Sequence, residues 1–351
     1  MNQASVVRAR DTSKRQYEAL WSRTRECVDK QLRDGVRDIG KILDAIQAQS
    51  WEWYGKRYFR EVAGAVGIDV SKAELSDRLA VQNGVYQVVP YDSRQADLPA
   101  RLAAFIERHG GIDHVVELGS GYGHNLFKLH SALPPALRQS LTLHACELSD
   151  AGREVTKVLH DLDPAIPLQI HEFDYYRADF GFLAQAKSVL VFSSHSIEQI
   201  PELPEALYTA LLAGNFDCHC IHAEPVGWQY DEALRALRSE RRERRTRGSV
   251  ASAVKAVDGV VFSMLGKGLK PLRSEDGIEI SKADLGTADK ISRNAALWSA
   301  RSDYNLNLVS LLQKLADDGR IELVGKELNI YGDNPFNPTT IITWKRAARA
   351  Q

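Results

Sequence analysis

The residues with the clearest chemical meaning lie in one short segment of this 351-residue chain. Val115-Val116-Glu117-Leu118 is a predicted buried strand that carries an acidic residue near its end, and Gly119-Ser120-Gly121-Tyr122-Gly123 follows directly. Glycine tolerates positive φ and lets the backbone approach a ligand that a side chain would exclude. A helix that begins near His124 would direct its first amide groups toward that ligand. We therefore predict a cofactor-binding loop formed by Gly119, Ser120, Gly121 and Gly123, with Glu117 beside it.

Acidic and aromatic residues farther along the chain extend this prediction. Glu147 ends the next predicted strand, where a carboxylate can accept hydrogen bonds from both hydroxyls of a ribose. Asp174 follows the predicted strand Leu168–Phe173 and can accept a hydrogen bond from an adenine amino group. Tyr175 or Phe173 would flank the adenine ring. Together these positions predict a cofactor that contains a nucleoside.

Two titratable residues follow the predicted strand Ser188–Ser193. His195 is a candidate general base, because its ordinary pKa lies near the pH at which enzymes work. Glu198, three residues on, can orient the histidine or bind a cationic substrate. A structural alternative is that Ser194 or Ser196 caps a helix and Glu198 completes a capping box. We predict a catalytic role for His195 and Glu198 because the carboxyl ends of parallel strands form the ligand-binding edge of such sheets.

Glu224 ends the next predicted strand, Cys218–Ala223, and is predicted to face the same cleft as a hydrogen-bond acceptor. Cys218, Cys220 and His222 alternate along this strand and so share one face. A metal site needs more ligands at an open geometry, and a buried cysteine usually behaves as a small apolar residue. We therefore predict no metal site.

The elements that must position these residues alternate between strand and helix. The five predicted strands of the central region are His114–Leu118, Leu141–Cys146, Leu168–Phe173, Ser188–Ser193 and Cys218–Ala223. Such alternation predicts an α/β fold with a doubly wound, mostly parallel sheet. Near the C-terminus we predict a helix over Leu308–Ala316 and β-structure over Ile321–Val324, Glu327–Tyr331 and Thr339–Trp344, with the last strand antiparallel.

Changes of pattern along the chain predict three regions. Apolar residues at helical spacing from Lys14 to Gln49 indicate one or two helices, so residues 1–110 are predicted to form a helical cap or dimerisation region. Residues 111–230 and 304–351 form the predicted catalytic core. Residues 231–303 form an insert, helical and charged at first and glycine-rich later, which is predicted to act as a lid over the substrate.

The composition of the whole chain limits which kinds of binding partner and which cellular location we expect. With 44% hydrophobic and 26% charged residues, the chain has the composition of a folded protein, and a formal net charge of −1 gives no reason to expect nucleic acid. There is no run of about 18 apolar residues, so we expect no membrane partner. The first residues carry no apolar stretch behind their charges, which predicts no secretory signal. The 4 cysteines are too scattered for a disulfide framework, so we expect the reducing cytoplasm.

The ordered set of loop, second acidic residue and Asp174 resembles the class I S-adenosylmethionine-dependent methyltransferases over about 112–228, and more loosely to Trp344. The resemblance implies a seven-stranded sheet with an antiparallel last strand and S-adenosylmethionine as cofactor. It places Glu117 near the amino-acid end of that cofactor, Glu147 at the ribose and Asp174 at the adenine.

Four hypotheses about function remain open. A nicotinamide-dependent oxidoreductase would use Glu147 equally well, but its G-x-G-x-x-G fingerprint needs a glycine where His124 stands, and the third glycine arrives at Gly123. Our leading hypothesis is a methyltransferase that acts on an oxygen, nitrogen or carbon nucleophile of a small molecule. The reason is that residues 1–110 and 231–303 would together cover the site and close the substrate pocket. A protein or peptide methyltransferase is the third hypothesis, and a non-catalytic partner with the same fold is the fourth. A homodimer is possible.

Overall fold

The computed structural model describes residues 3–67, 77–90, 98–247 and 276–348, and it begins with two long helices. These are α1 (Gln3–Arg33) and α2 (Ile39–Val66), so the periodic stretch predicted as one or two helices is divided in two. The division comes at Gly35, which adopts a φ of 83°, and Asp38 then caps α2 by accepting a hydrogen bond from the amide of Lys41 at 2.8 Å. No helix within these segments is long and apolar enough to cross a bilayer.

A β-hairpin follows the two helices, within the region predicted as a helical cap, and no strand was predicted there. Strands β1 (Asp77–Gln82) and β2 (Val85–Pro90) pair antiparallel around Asn83-Gly84. Both turn residues have positive φ, 52° and 75°, as a two-residue hairpin turn with the sequence Asn-Gly requires. Helix α3 (Leu98–His109) then leads into the central region.

The central region contains five parallel strands, as the alternation of pattern predicted. They are β3 (His114–Leu118), β4 (Thr142–Glu147), β5 (Leu168–Glu172), β6 (Ser188–Ser194) and β7 (Asp217–Glu224). The helices between them are α4 (His124–Ala132), the short α5 (Pro135–Arg138), α6 (Asp150–His160) and α7 (Glu205–Ala213).

Within its described residues, the C-terminal part adds three α-helices and two strands. These are α8 (Glu232–Arg247), α9 (Ile291–Ser302), α10 (Leu308–Asp317), β8 (Ile321–Gly332) and β9 (Thr339–Arg346). The last strand, β9, is antiparallel to β7, as predicted. The two short β-segments predicted between Ile321 and Tyr331 form one strand, in which an irregular register between Leu323 and Gly325 marks a bulge. The glycine-rich part of the predicted insert, residues 248–275, lies outside the described residues.

Over the described part of the chain the sheet has nine strands, not the seven predicted, in the order β2-β1-β8-β9-β7-β6-β3-β4-β5. The physical reason is the N-terminal hairpin, which pairs through Val81 and Gln82 with Gly332 and Tyr331 at the end of β8. Apolar side chains fill both faces of the central strands β3, β4, β6 and β7, whereas β8 is exposed over most of its length. The strand order reverses between β3 and β6, and in sheets of this type ligands bind in the crevice at that reversal.

Candidate functional site

The loop after β3 adopts the backbone conformation that its glycines predict. Gly119, Gly121 and Gly123 have φ values of 70°, 56° and 75°, a region that side chains other than glycine rarely occupy. The loop is held against β4 because the amides of Gly119 and Ser120 both donate to the carbonyl of Cys146, at 2.8 and 3.0 Å. The predicted helix begins directly after it, at His124.

Glu117 is buried beside this loop, and one of its two carboxylate oxygens accepts a hydrogen bond. Its side chain lies on β3 and is 2% exposed, and its Oε1 atom accepts a hydrogen bond from Asn125 Nδ2 at 2.6 Å. Its Oε2 atom is buried without a hydrogen-bond partner among the described residues. Burial raises the pKa of Glu117 to about 8, although the bond from Asn125 opposes the shift. A cation bound at Oε2 would lower this pKa again, because an opposite charge favours the carboxylate.

Glu147 joins the end of β4 to the middle of the loop. Its Oε2 atom accepts a hydrogen bond from the amide of Gly121 at 3.0 Å. Its Oε1 atom accepts from the amide and the hydroxyl of Ser149, at 2.8 and 2.5 Å. Burial raises the pKa of Glu147, and these hydrogen bonds partly offset that effect.

Gly152 is a site residue that sequence reasoning missed. A Cβ atom at this position would lie 2.8 Å from the carbonyl oxygen of Gly121 and 2.9 Å from Cγ of Glu147. Helix α6 can therefore begin directly against the loop only because residue 152 has no side chain. A single glycine inside a helical pattern was the only signal in the sequence.

Asp174 and Tyr175 lie beyond β5, on the same side of the loop. Asp174 accepts a hydrogen bond from the amide of Tyr176 at 2.9 Å and so caps a short helical turn. The hydroxyl of Tyr175 lies 2.8 Å from Oγ of Ser196, whose hydroxyl donates to the carbonyl of Leu118 at 2.7 Å. A Cβ atom at Gly119 would lie 2.5 Å from Cβ of Ser196. Ser196, considered from the sequence only as a helix cap, therefore forms a wall of the loop.

His195 and Glu198 meet, as predicted for a pair in which the carboxylate orients the imidazole. His195 adopts a φ of 51°, and its Nδ1 atom lies 3.3 Å from Oε2 of Glu198. Its Nε2 atom lies 2.7 Å from Oγ1 of Thr339. Burial alone would lower the pKa of His195, but the carboxylates of Glu198, Glu224 and Asp333 outweigh it and raise the pKa.

Asn337 and Thr339, from the β8–β9 region, contact Glu198 and His195. Neither residue was predicted from the sequence. Glu198 is almost buried, with 7% of its side chain exposed, and it accepts hydrogen bonds from Asn337 Nδ2 at 2.9 Å and from Gln199 Nε2 at 2.8 Å. Thr339, which contacts His195, is fully buried. Asn337 and Thr339 lie more than a hundred residues from their partners in sequence, so no local pattern indicated them.

Glu224 ends β7 and lies beneath the turn that carries His195 and Glu198. It is fully buried, and its carboxylate accepts hydrogen bonds from the amides of Ser196, Ile197 and Glu198 at 3.1–3.2 Å. Burial raises the pKa of Glu224 to about 7. The carboxylate therefore fixes the turn that presents His195 and Glu198.

His222 belongs to a buried hydrogen-bonded group behind the site. Its Nδ1 atom lies 3.0 Å from Oγ of Ser193, and its Nε2 atom lies 3.0 Å from the hydroxyl of Tyr208. Burial lowers the pKa of His222 to about 3, so the ring is neutral. Within the described segments, no cluster of three or more histidine, cysteine or acidic residues has the geometry to hold a metal ion.

Comparison with known proteins finds distant similarities among solved structures. No family model matches the chain. No curated protein matches it either. Among solved structures, a putative O-methyltransferase from Klebsiella pneumoniae is 12% identical, with 74% of this chain and 84% of that one covered and a TM-score of 0.38. The O-methyltransferase from Bacillus cereus, crystallised with S-adenosylhomocysteine (SAH), is 10% identical, with 73% and 84% covered and a TM-score of 0.37.

A third similar structure is the O-methyltransferase TomG from Streptomyces achromogenes, involved in tomaymycin synthesis and crystallised with S-adenosylmethionine. It is 12% identical, with 73% of this chain and 82% of that one covered and a TM-score of 0.35. Because the identities and TM-scores are this low, we infer the function from the geometry of the site.

Proposed function

We propose that this chain is a methyltransferase that uses S-adenosylmethionine. The observation that carries the proposal is the buried Oε2 atom of Glu117, which has no partner among the described residues and lies beside a loop of three left-handed glycines. A buried carboxylate oxygen calls for a cation or a hydrogen-bond donor. S-adenosylmethionine carries an ammonium group and a sulfonium, and so supplies both kinds of partner.

The loop's own hydrogen bonds support this cofactor over a dinucleotide. A pyrophosphate needs free backbone amides and a positive field. Here the amides of Gly119 and Ser120 donate to Cys146, and that of Gly121 donates to Glu147. Two buried acidic side chains, Glu117 and Glu147, flank the loop, and their ionised forms would repel phosphate. The loop therefore suits a cationic ligand better than an anionic one.

The residues present fit the proposed cofactor. Glu117 would hold its amino-acid end, Glu147 its ribose hydroxyls and Asp174 its adenine, with Ser120 and Tyr175 as walls. The bound cofactor supplies a methyl group on a sulfonium, which already has a good leaving group. The protein's tasks are then to align the acceptor, to exclude water and to remove a proton where the acceptor carries one.

We assign proton removal to Nε2 of His195. An acceptor hydroxyl or amine would lose its proton to this nitrogen, whose partner within the chain is Oγ1 of Thr339. Glu198, at Nδ1, would hold the ring in position and stabilise the imidazolium. Glu224 would act as a positioning residue, because it fixes the turn that carries this pair.

The charge around the acceptor side favours an uncharged or cationic small molecule. The carboxylates of Glu198, Glu224 and Asp333 all lie close enough to His195 to raise its pKa, and they would repel an anionic acceptor. We further propose residues 1–110 as a cap and 231–303 as a lid over this molecule. A homodimer stays a prediction. The four cysteines are free and buried, which supports a reducing, cytoplasmic location.

The proposal is tested by incubating the purified protein with methyl-labelled S-adenosylmethionine and cell extract, and by identifying the labelled product by mass spectrometry. We expect one labelled small molecule. Gly121→Arg should abolish the labelling, because a side chain at this position would lie 2.7 Å from the ring of Trp21. Gly325→Arg is the matched control, because that glycine lies in open space in β8. Equal labelling by both variants would overturn the loop assignment.

A further inference from the structure

Helix α1 lies across the loop and contacts its middle glycine. A Cβ atom at Gly121 would lie 2.7 Å from Cζ2 of Trp21, so the indole fits only because residue 121 is glycine. The Trp21 ring also meets Tyr122 edge-on at 5.2 Å and stacks on Tyr17 at 5.8 Å. The same glycine therefore serves both the loop conformation and the docking of α1.

Polar contacts fix α1 to the helix that follows Glu147. The carboxylate of Glu18 accepts hydrogen bonds from the amides of Asp150 and Ala151, at 2.7 and 2.9 Å, in the first turn of α6. These amides have no partner within their own helix, and a negative charge there is stabilised by the helix dipole. Arg25 adds an ion pair with Glu154 at 2.8 Å. Trp21 lies between these two anchors.

Three buried polar atoms near the loop lack a partner among the described residues. They are Nε1 of Trp21, Oε2 of Glu117 and Oγ of Ser120. Buried donors and acceptors in native proteins are nearly always paired. One donor, one acceptor and one hydroxyl left unpaired around a single loop indicate that a polar ligand supplies the missing partners.

Tyr17, one helical turn before Trp21, supports the indole by stacking on it. Burial raises the pKa of its phenol, and the carboxylates of Glu198, Glu147 and Glu224 raise it further. The phenol stays neutral and able to donate a hydrogen bond.

We propose that Trp21 is a cofactor-binding residue, with its indole N–H as donor to the ligand, and that Glu18 holds it over the loop. Tyr17 then supports the indole by stacking on it. This inference rests on the proposed function, because the ligand it invokes is the cofactor of that reaction. It assigns α1, which lies outside the glycine motif, to the binding site itself.

The test measures the affinity for SAH by isothermal titration calorimetry. We expect Trp21→Ala to raise the Kd by about tenfold or more and Trp21→Phe, which keeps the ring but not the donor, to raise it by about threefold to tenfold, the effect of one hydrogen bond. Glu18→Gln should raise the Kd, whereas Glu26→Gln, an exposed residue of the same helix, should not. Unchanged or tighter binding by the Trp21 variants would overturn the inference.

A second measurement keeps the inference falsifiable if Trp21→Ala does not fold. The fluorescence of the wild type is titrated with SAH and compared with that of Trp21→Phe. We expect the ligand-induced change to be lost in Trp21→Phe; a change of equal size would overturn the inference. The proposed function fails separately, if the wild type does not bind SAH at all.

Discussion

The Oε2 atom of Glu147 lies 3.0 Å from the amide nitrogen of Gly121, so the end of β4 holds the centre of the loop that follows β3. This bond links the two parallel strands that border the proposed cofactor site. It also gives Glu147 two tasks, because the same carboxylate that fixes the loop is the one proposed to bind the ribose.

Replacing Glu147 should therefore affect both binding and stability. In Glu147→Gln the side chain keeps one acceptor oxygen for the bonds that the carboxylate accepts from Gly121 and Ser149. We expect the free energy of unfolding to fall by about 1–3 kcal/mol, the usual cost of leaving a buried hydrogen-bonding group unpaired. Urea unfolding measures this change, and calorimetry should show weaker SAH binding. Glu172→Gln, at the paired position of β5, is the control and should change neither quantity appreciably.

Glu117 predicts a dependence of stability on pH. Its pKa in the folded chain, about 8, lies above that of a free carboxyl group. Between about pH 4.3 and 8 the folded protein therefore holds a proton that the unfolded chain has lost, and stability falls as pH rises through this window by up to about 1.4 kcal/mol per pH unit.

The measurement is urea unfolding at several pH values in the wild type and in Glu117→Gln. We expect a shallower decline in the variant, which has no proton to lose at this position. A decline of the same slope in both proteins would show that Glu117 does not hold the proton. Saturation of the wild type with S-adenosylmethionine should also flatten the decline, because its ammonium favours the carboxylate.

His195 and Glu198 predict a specific effect on the pH profile of methyl transfer. His195 must be neutral to accept a proton, so the rate should rise with pH through the raised pKa of His195. Glu198→Gln removes a charge that raises this pKa, and the rising limb should move to lower pH. His195→Asn should lower kcat by about 100-fold or more, the contribution of a general base. The acceptor identified from cell extract is the substrate for these assays.

A purely structural role for this pair would give a different outcome. Loss of activity in Glu198→Gln without any shift of the rising limb would argue against a proton transfer at His195. Both variants should retain SAH binding, since their side chains lie on the acceptor side of the site.

A row of three histidines predicts sensitivity to acid. His144 lies between His114 and His171, with nitrogen–nitrogen distances of 2.8 and 2.9 Å. Burial and the two neighbouring rings lower the pKa of His144 to about 3. Because this pKa lies below the ordinary 6.5, the folded chain resists a proton that the unfolded chain accepts, and stability is lost as pH falls from about 6.5 toward 3.

Thermal unfolding between pH 7 and 4 tests this prediction. His144→Phe, which keeps a ring against Phe182, should lose less stability than the wild type over this range. His109→Phe is the control, because His109 is exposed on α3 and, although burial and the charge of His109 both lower the pKa of His219, the substitution should change the acid sensitivity less than His144→Phe. Equal acid sensitivity of the wild type and His144→Phe would contradict the prediction.

Much of the central fold could be predicted from the sequence because its signals are local. The glycine loop indicated the end of β3 at Leu118, and alternating patterns located β4 to β7 to within a residue or two. The hairpin around Asn83-Gly84 was missed, although an Asn-Gly pair between apolar residues is a strong turn signal. Its pairing with β8 joins residues about 250 positions apart, and hydrophobic periodicity, a local signal, cannot predict such a pairing.

The residues of the candidate site were likewise predictable only where their sequence signal is local. Glu117 and Glu147 follow directly from their places at strand ends. Trp21 and Thr339 could not be predicted, because each reaches the site from another part of the chain and has an ordinary place in its own element. Glu224 lies at its predicted position, but only three-dimensional contacts show that three backbone amides already occupy its carboxylate.

The central claim is that the loop after β3 binds S-adenosylmethionine. The most direct measurement is a calorimetric titration of the purified wild-type protein with SAH, beside an identical titration with NAD⁺. We predict saturable binding of SAH at one site and no detectable binding of NAD⁺. Binding of NAD⁺ without binding of SAH would contradict the claim.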